Sequence, residues 1–298
     1  MALRKEGGRK ANLKESLEDC VKKYWLDPNR DAAEVNIVSA ISEAFVKCYL
    51  EARTEKYISR FNLVVVKALF GDRESSGSRS GEASRNGGMF SCEKVSKLLS
   101  ELSRRLDELI SPLYAGYHVF DLRLTTVTRL LVHARNPLLP LEVSLAWDPI
   151  FNVPFIPSSS LKGAARAYFE INSVVIDSLS ASDLFGSEES EGVVVFTDAY
   201  PISCKGNSLL EPDVITPHYS EAGYAIDEVS ASPVPIVFLT IAPNVTFRSL
   251  VALDWEVRPQ TAVKVVEKIK EALSMGLGAK TAVGYGRLNV GYSKSERT

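Results

Sequence analysis

Residues 259–290 read PQTAVKVVEKIKEALSMGLGAKTAVGYGRLNV, and their periodicity changes twice. Ala262, Val265, Val266, Ile269, Ala272 and Leu273 recur at three- and four-residue steps, which predicts a helix over 259–275 with Pro259 in the first turn, where proline is tolerated. Gly276, Gly278, Gly284 and Gly286 then crowd into eleven residues. Glycine admits positive φ and close backbone approach, so this is a tight loop. A short strand, 286–290, closes the segment. Lys280, Thr281, Tyr285 and Arg287 supply charge, a hydroxyl and a stacking face, the groups with which proteins hold single-stranded RNA. The plainer alternative is a helix-to-strand turn that simply needs glycine.

Working back from this segment, 245–253 reads as a strand and, after Pro243-Asn244, as the hairpin partner of 234–242. Residues 192–197 read as another buried strand. Residues 159–170 read as a helix, and 119–133 and 141–147 as strands, with a turn at Asn136-Pro137. Strand, strand, helix, strand, two strands, helix, glycine loop and strand describe an α+β sheet with helices on one side, of the split βαβ type. Residues 1–118 differ. Leu13, Leu17, Cys20, Val21 and Tyr24, and then Ile37, Ile41, Ala44, Phe45, Cys48 and Tyr49, follow helical spacing, with further helices over 54–70 and 91–110. Between those two, 71–89 is rich in Gly and Ser and is expected to be a mobile loop. The expected division is a helical region over 1–118 and a core over 119–298.

The chain has 298 residues, 45% apolar and 24% charged, the balance of a globular protein. No apolar run is long enough to span a bilayer, and the charged start lacks the apolar stretch of a secretory signal, so no membrane association is expected. Cys20, Cys48, Cys92 and Cys204 lack metal-site spacing. They read as four buried thiols, suited to a reducing cytoplasm. The net charge of −2 argues against a free-standing nucleic-acid binder, yet the charge is uneven. Residues 173–257 hold two Lys/Arg against thirteen Asp/Glu; residues 258–298 hold eight against three. A face that binds phosphate can coexist with an acidic one, because screening separates them. The acidic stretch, with Glu188, Glu189 and Glu191, is a candidate for protein contact.

Two further segments carry chemistry. In Ile156-Pro-Ser-Ser-Ser-Leu-Lys-Gly-Ala-Ala-Arg-Ala-Tyr168, Ser158, Ser159 or Ser160 can cap the helix that follows. Lys162 and Arg166 lie four residues apart on one face, and cations at a helix start are easier to explain if an anion such as an RNA phosphate sits there. A capped helix with two solvated cations is the alternative. In Asp213-Val-Ile-Thr-Pro-His-Tyr219, His218 could act as a base, and His218 and Tyr219 could touch RNA or a partner subunit. His118 and His133 form no cluster with it.

Together these segments resemble a known family. Ile156-Pro-Ser-Ser-Ser-Leu-Lys-Gly-Ala-Ala-Arg166 resembles the IPGSSLKGxxR signature of RAMP (repeat-associated mysterious) proteins, with Ser158 standing where the family has glycine. Gly276-Leu-Gly-Ala-Lys-Thr-Ala-Val-Gly-Tyr-Gly286 resembles their C-terminal glycine loop, and Asp198-Ala-Tyr-Pro with Thr216-Pro-His-Tyr points to the type III-B CRISPR (Cmr) effector. The resemblance covers about 120–291. It implies a ferredoxin-like, RRM-related core carrying an N-terminal helical extension. It implies contact with crRNA, target RNA and other Cmr subunits, with no catalysis, cofactor or metal. The RNA-binding set it implies is Ser158, Ser159, Ser160, Lys162, Arg166, Gly276, Gly278, Lys280, Thr281, Gly284, Tyr285 and Arg287. Asp121 and Asp148 are the aspartates to check against the catalytic loop of a cleaving RAMP subunit. The rival reading is a metal-independent RAMP endonuclease with His218 as base. A serine acyl-transferase is a poor match: Ser159-Ser-Leu-Lys162 fits, but the S-D-N element is missing. A Walker A loop fails too, since Ser274 and Ala279 replace its glycines.

Overall fold

The computed structural model describes residues 17–24, 26, 29–49, 58–70, 88–110, 116–216, 220–222, 225–227 and 235–294. The first part is helical: α1 (17–23), α2 (Ile37–Ala44), which continues as a wider turn over Phe45–Tyr49, α3 (Ile58–Phe70) and α4 (Cys92–Ile110). Asn36 starts α2 by accepting from the amide of Ser39 at 3.0 Å. The loop expected over 71–89 lies outside the described residues as far as 87. Gly88 and Met89 form a buried turn with Phe90.

The sheet begins at β1 (Tyr117–Thr126). After it come the two-residue pair β2 (Trp147–Asp148) and β3 (Val153–Pro154), α5 (Ser158–Ile171), the short α6 (Ala181–Phe185), β4 (Val194–Phe196) and β5 (Tyr200–Cys204). Next are β6 (Leu210–Ile215), β7 (Ser220–Ala222), β8 (Ala225–Asp227), β9 (Ile236–Ile241), β10 (Val245–Asp254), α7 (Pro259–Ser274) and β11 (Leu288–Lys294). The main sheet has the order β11-β1-β10-β4, with β5 also on β10, and every pairing is antiparallel. The chain is therefore a mixed α and β fold.

Alternation along β1 separates two faces. Phe120, Leu122 and Leu124 lie opposite Val251, Ser249 and Phe247 of β10 and belong to the main core with α5 and α7. On the other face Asp121 and Arg248 are both buried and joined, Arg248 Nε donating to Asp121 Oδ2 at 2.9 Å, while Arg248 Nη1 reaches Asp107 of α4 at 2.6 Å. Arg123 stands directly opposite Arg248, a like-charge pair that Asp121 makes tolerable. Most buried apolar residues run as one cluster from Leu17 to Val290, so the N-terminal helices and the sheet share a core; Val119, Leu250 and Ala252 form a small second cluster on the other face.

Three strand expectations fail here. The strand expected over 119–133 ends at Thr126. Residues 234–242 and 245–253 are not a hairpin. β9 pairs with β6, whereas β10 enters the main sheet. Asn244, at φ +63°, turns the chain between them and donates its amide to the Thr126 carbonyl at 2.7 Å. The residues over 141–146 form no strand; only Trp147–Asp148 does. The four cysteines are not free thiols either. Cys20 bonds Cys48 and Cys92 bonds Cys204, with Cα separations of 5.9 and 5.3 Å. Bridging depends on proximity in space, and sequence separations of 28 and 112 residues concealed it.

The Cys92–Cys204 bridge ties α4 to β5 across a long loop. Its removal by Cys92→Ala with Cys204→Ala should lower stability by about 3–5 kcal/mol, measured by urea unfolding. Reductant should then destabilise the variant less than the parent chain.

Candidate nucleic-acid interface

The glycine loop follows α7 and is stitched to the segment after β1. Ala279 donates to the Leu131 carbonyl at 2.8 Å, Gly286 to that of Arg129 at 2.8 Å, and Leu277 to that of Gly286 at 3.0 Å. Two of the four glycines leave no space for a side chain. A Cβ on Gly286 (φ +69°) would fall 1.9 Å from the Leu277 carbonyl oxygen, and one on Gly278 (φ +86°) would fall 2.4 Å from that of Leu131. Gly276 and Gly284 also have positive φ, but no backbone crowds them this closely. Lys280 itself is left-handed at φ +63° and opens the single turn Thr281–Val283.

This backbone presents Lys280, Thr281, Tyr285 and Arg287 at one place, with Thr281 and Arg287 exposed. The Lys280 Nζ stands 4.7 Å from the Tyr285 ring centroid and 5.1 Å from that of Phe238. The Tyr285 hydroxyl donates to Asp213. Arg129, half exposed, joins the group through Glu211 at 3.1 Å and Asp213 at 3.5 Å. Burial and the bond to Asp213 push the Tyr285 hydroxyl up to about 12. Burial pushes the Asp213 carboxyl up, but the Tyr285 bond, the Val214 amide, Arg129 and Lys280 outweigh it and hold the carboxyl below its ordinary value. Nothing near Arg129 in the sequence announces this role, because its partners lie more than eighty residues away.

The start of α5 is built differently from the expectation. Pro157 occupies the cap position, and no seryl oxygen caps the helix. Instead Asp198 accepts from the Ser158 amide at 2.6 Å. A carboxylate already sits at the positive end of this helix, and Lys162, its fifth residue, lies past the first turn. Ser159 is exposed, Ser158, Ser160 and Lys162 are half-buried, and Arg166 pairs with Glu170 at 2.7 Å.

Side-chain bonds tie the helices that carry the two segments. Asp177, just past α5, bonds Thr261 and Lys264 in the first turns of α7, at 2.7 and 2.9 Å. Tyr168 reaches Glu271 further along α7. Both contacts lie toward the far end of α5, away from its start. Backbone bonds run from the glycine loop toward the residues before α5: Ala279 to Leu131, Ala146 to Val132, and Phe155 to Ala146.

Other candidates have structural partners. Asp148 accepts from the amides of Ile150 and Phe151 and from the Tyr200 hydroxyl, at 2.8, 2.9 and 2.8 Å. Asp121 is held by Arg248. The His118 ring lies 2.8 Å from the Val257 carbonyl, and His133 is exposed. His218 and Tyr219 lie outside the described residues. Among the described residues no group of three His, Cys, Asp or Glu is placed to hold a metal, and no helix is long and apolar enough to cross a membrane.

The family described as the RAMP superfamily matches residues 108–289, more than half of the chain. The chain belongs to the RAMP superfamily. Among other RAMP proteins, it is 37% identical over 195 residues to "CRISPR system CMR subunit Cmr6" of Saccharolobus solfataricus, covering 65% of this chain and 63% of that one. It is 40% identical over 115 residues to "CRISPR system Cmr subunit Cmr6" of Pyrococcus furiosus, covering 35% and 33%. The chain thus spans less than two thirds of the length of each of these relatives. A chain in the cryo-EM structure of the type III-B Cmr-beta bound to cognate target RNA superposes with a TM-score of 0.57 at 30% identity, over 84% of this chain and 77% of that one. The RAMP match takes in both the α5 start and the glycine loop.

Gly286→Ala should destabilise this RAMP fold by at least about 3 kcal/mol, because backbone must move. Gly284→Ala, which meets no atom within 4 Å, should cost only about 1–2 kcal/mol for its positive φ. Thermal melting of the two variants side by side checks this. The Tyr285 pair also fixes a sign with pH. A phenol raised above its ordinary value of 10 stabilises the fold while protonated, so its contribution is complete below about pH 10 and is lost as pH rises through about 12. Asp213, lowered, acts in the opposite range: its contribution is present above the ordinary carboxylate value and is lost as acid protonates it. Tyr285→Phe should flatten the alkaline limb of the stability profile.

Proposed function

We propose that this RAMP protein is a non-catalytic RNA-binding subunit of a type III-B CRISPR (Cmr) effector ribonucleoprotein, in the position of the sixth Cmr subunit. It contacts the crRNA 3′ region, target RNA and neighbouring Cmr subunits, and it serves antiviral defence in the cytoplasm. The observation that carries this reading is the meeting of Arg129, from the segment after β1, with Lys280 and Tyr285 of the glycine loop, Arg287 following two residues on, in a chain whose relatives are Cmr subunits. The likeness to a chain from a Cmr complex bound to target RNA supports it.

The core that presents this surface is ferredoxin-like and RRM-related. Support comes from the strand–helix–strand–strand–helix–strand order, with β11 and β10 flanking β1 in an antiparallel sheet. A non-catalytic role is supported by the structural duties of Asp121 and Asp148. The two disulfides are compatible with an intracellular setting, since bridges persist in intracellular proteins of hyperthermophiles.

The test is RNA binding across a range of salt. Lys280→Ala, Arg287→Ala and Arg129→Ala should each weaken binding of a labelled oligouridylate and reduce the salt slope by about one for each phosphate no longer neutralised. Lys162→Ala with Arg166→Ala should do likewise. Unchanged affinity in all of them would assign these segments to packing or subunit contact. RNA cleavage in metal-free buffer that disappears in His218→Ala would replace the binder with a nuclease.

A further inference from the structure

The cationic loop has two acidic neighbours that RNA binding by itself does not explain. Glu211 and Asp213 are two residues apart on β6 and so project from one face. Pairing with β9 fixes their backbone, with Asp213 opposite Phe238. Arg129 Nε donates to Glu211 Oε2 at 3.1 Å, and its Nη1 lies 3.5 Å from Asp213 Oδ2. The Tyr285 hydroxyl donates to that same Asp213 oxygen. Lys280 is held over Tyr285 and over Phe238, the cross-strand partner of Asp213. The donors that a phosphate would take are thus already turned toward carboxylates.

We propose that Glu211 and Asp213 are built-in competitors for RNA at this surface: they hold Arg129 and Tyr285 as exchangeable partners, and an RNA strand binds by displacing the carboxylates from those donors. This rests on the RNA-binding reading above and goes beyond it. Arg129, Lys280 and Arg287 set three positive charges against two negative ones, a small surplus for an isolated phosphate. A strand that meets all three cations gains several contacts at once and can outcompete the internal pairs. Exposure makes exchange feasible at the Arg129–Glu211 pair first: its side chains are 43% and 39% exposed, and pairs in such surroundings are weak, whereas Asp213 is 21% exposed and releases its donors less readily. The Arg248–Asp121 pair, at 8% exposure on each side, is the opposite case, because opening it would strand a buried charge.

The experiment measures binding of a labelled oligouridylate to the full chain over a range of salt. Glu211→Gln should tighten binding about threefold, and Glu211→Gln with Asp213→Asn about tenfold, each with a steeper salt dependence. Neutralising the exposed Glu188 and Glu189 removes the same charge elsewhere and should leave affinity within about twofold of the parent. Unchanged or weaker binding by Glu211→Gln, whose half-exposed side chain does not bear on folding, overturns the proposal. Equal tightening by the Glu188 and Glu189 control also overturns it, since net charge alone would then be the cause. Lys280→Ala and Arg287→Ala in the same assay keep the two readings apart. If they leave affinity unchanged, RNA binding at this loop falls. If they weaken it while the acidic variants fail to tighten it, only the exchange falls.

Discussion

The site depends on one close approach: the Leu277 carbonyl lies where a side chain on residue 286 would have to be. That approach folds the glycine loop back on itself, Leu277 and Gly286 bonding through their backbones. Gly286 and Ala279 then tie the loop to Arg129 and Leu131, immediately after the central strand of the sheet. A loop anchored at three backbone positions loses little conformational freedom when it meets a ligand, so its side chains are presented already in place. Arg129 enters the site because its own carbonyl is one of those anchors. Structure and charge are coupled at a single residue.

Much of the acid between 173 and 257 is engaged within the fold. Asp177 ties α5 to α7, Asp183 closes the cap of α6 with Ser180, Asp198 sits at the start of α5, and Glu211 and Asp213 face Arg129. Glu188, Glu189 and Glu191 are exposed on the turn before β4. The sequence imbalance is therefore a poor guide to surface potential. Paired carboxylates cancel locally, and a net charge of −2 coexists with a basic stretch over 258–298.

The N-terminal helices are part of the same solid. α3 packs against β9, α4 reaches Arg248 through Asp107 and β5 through Cys92, and Asn152 accepts from the Ile37 amide at the start of α2. The buried cluster is continuous from these helices into the strands, so a change in the helices is felt by the sheet that positions the loop.

By itself the sequence determined the elements whose causes are local. The helical spacing of Ala262 to Leu273, the strand-forming residues of β1, the four glycines and the Lys162 and Arg166 spacing all express interactions within a few residues; α5 and α7 appear near their expected bounds, while β1 ends at Thr126, short of the expected 133. Tertiary structure alone decided the rest: that Asp198 and not a serine meets the start of α5, that Asp213 faces Tyr285, that β9 leaves β10 for β6, and that four cysteines form two pairs. Each of these joins residues far apart in the chain, the nearest being Ile215 and Ile236 at the end of the β6–β9 ladder. Such partners are chosen by how the chain crosses the sheet, and no local propensity encodes that path.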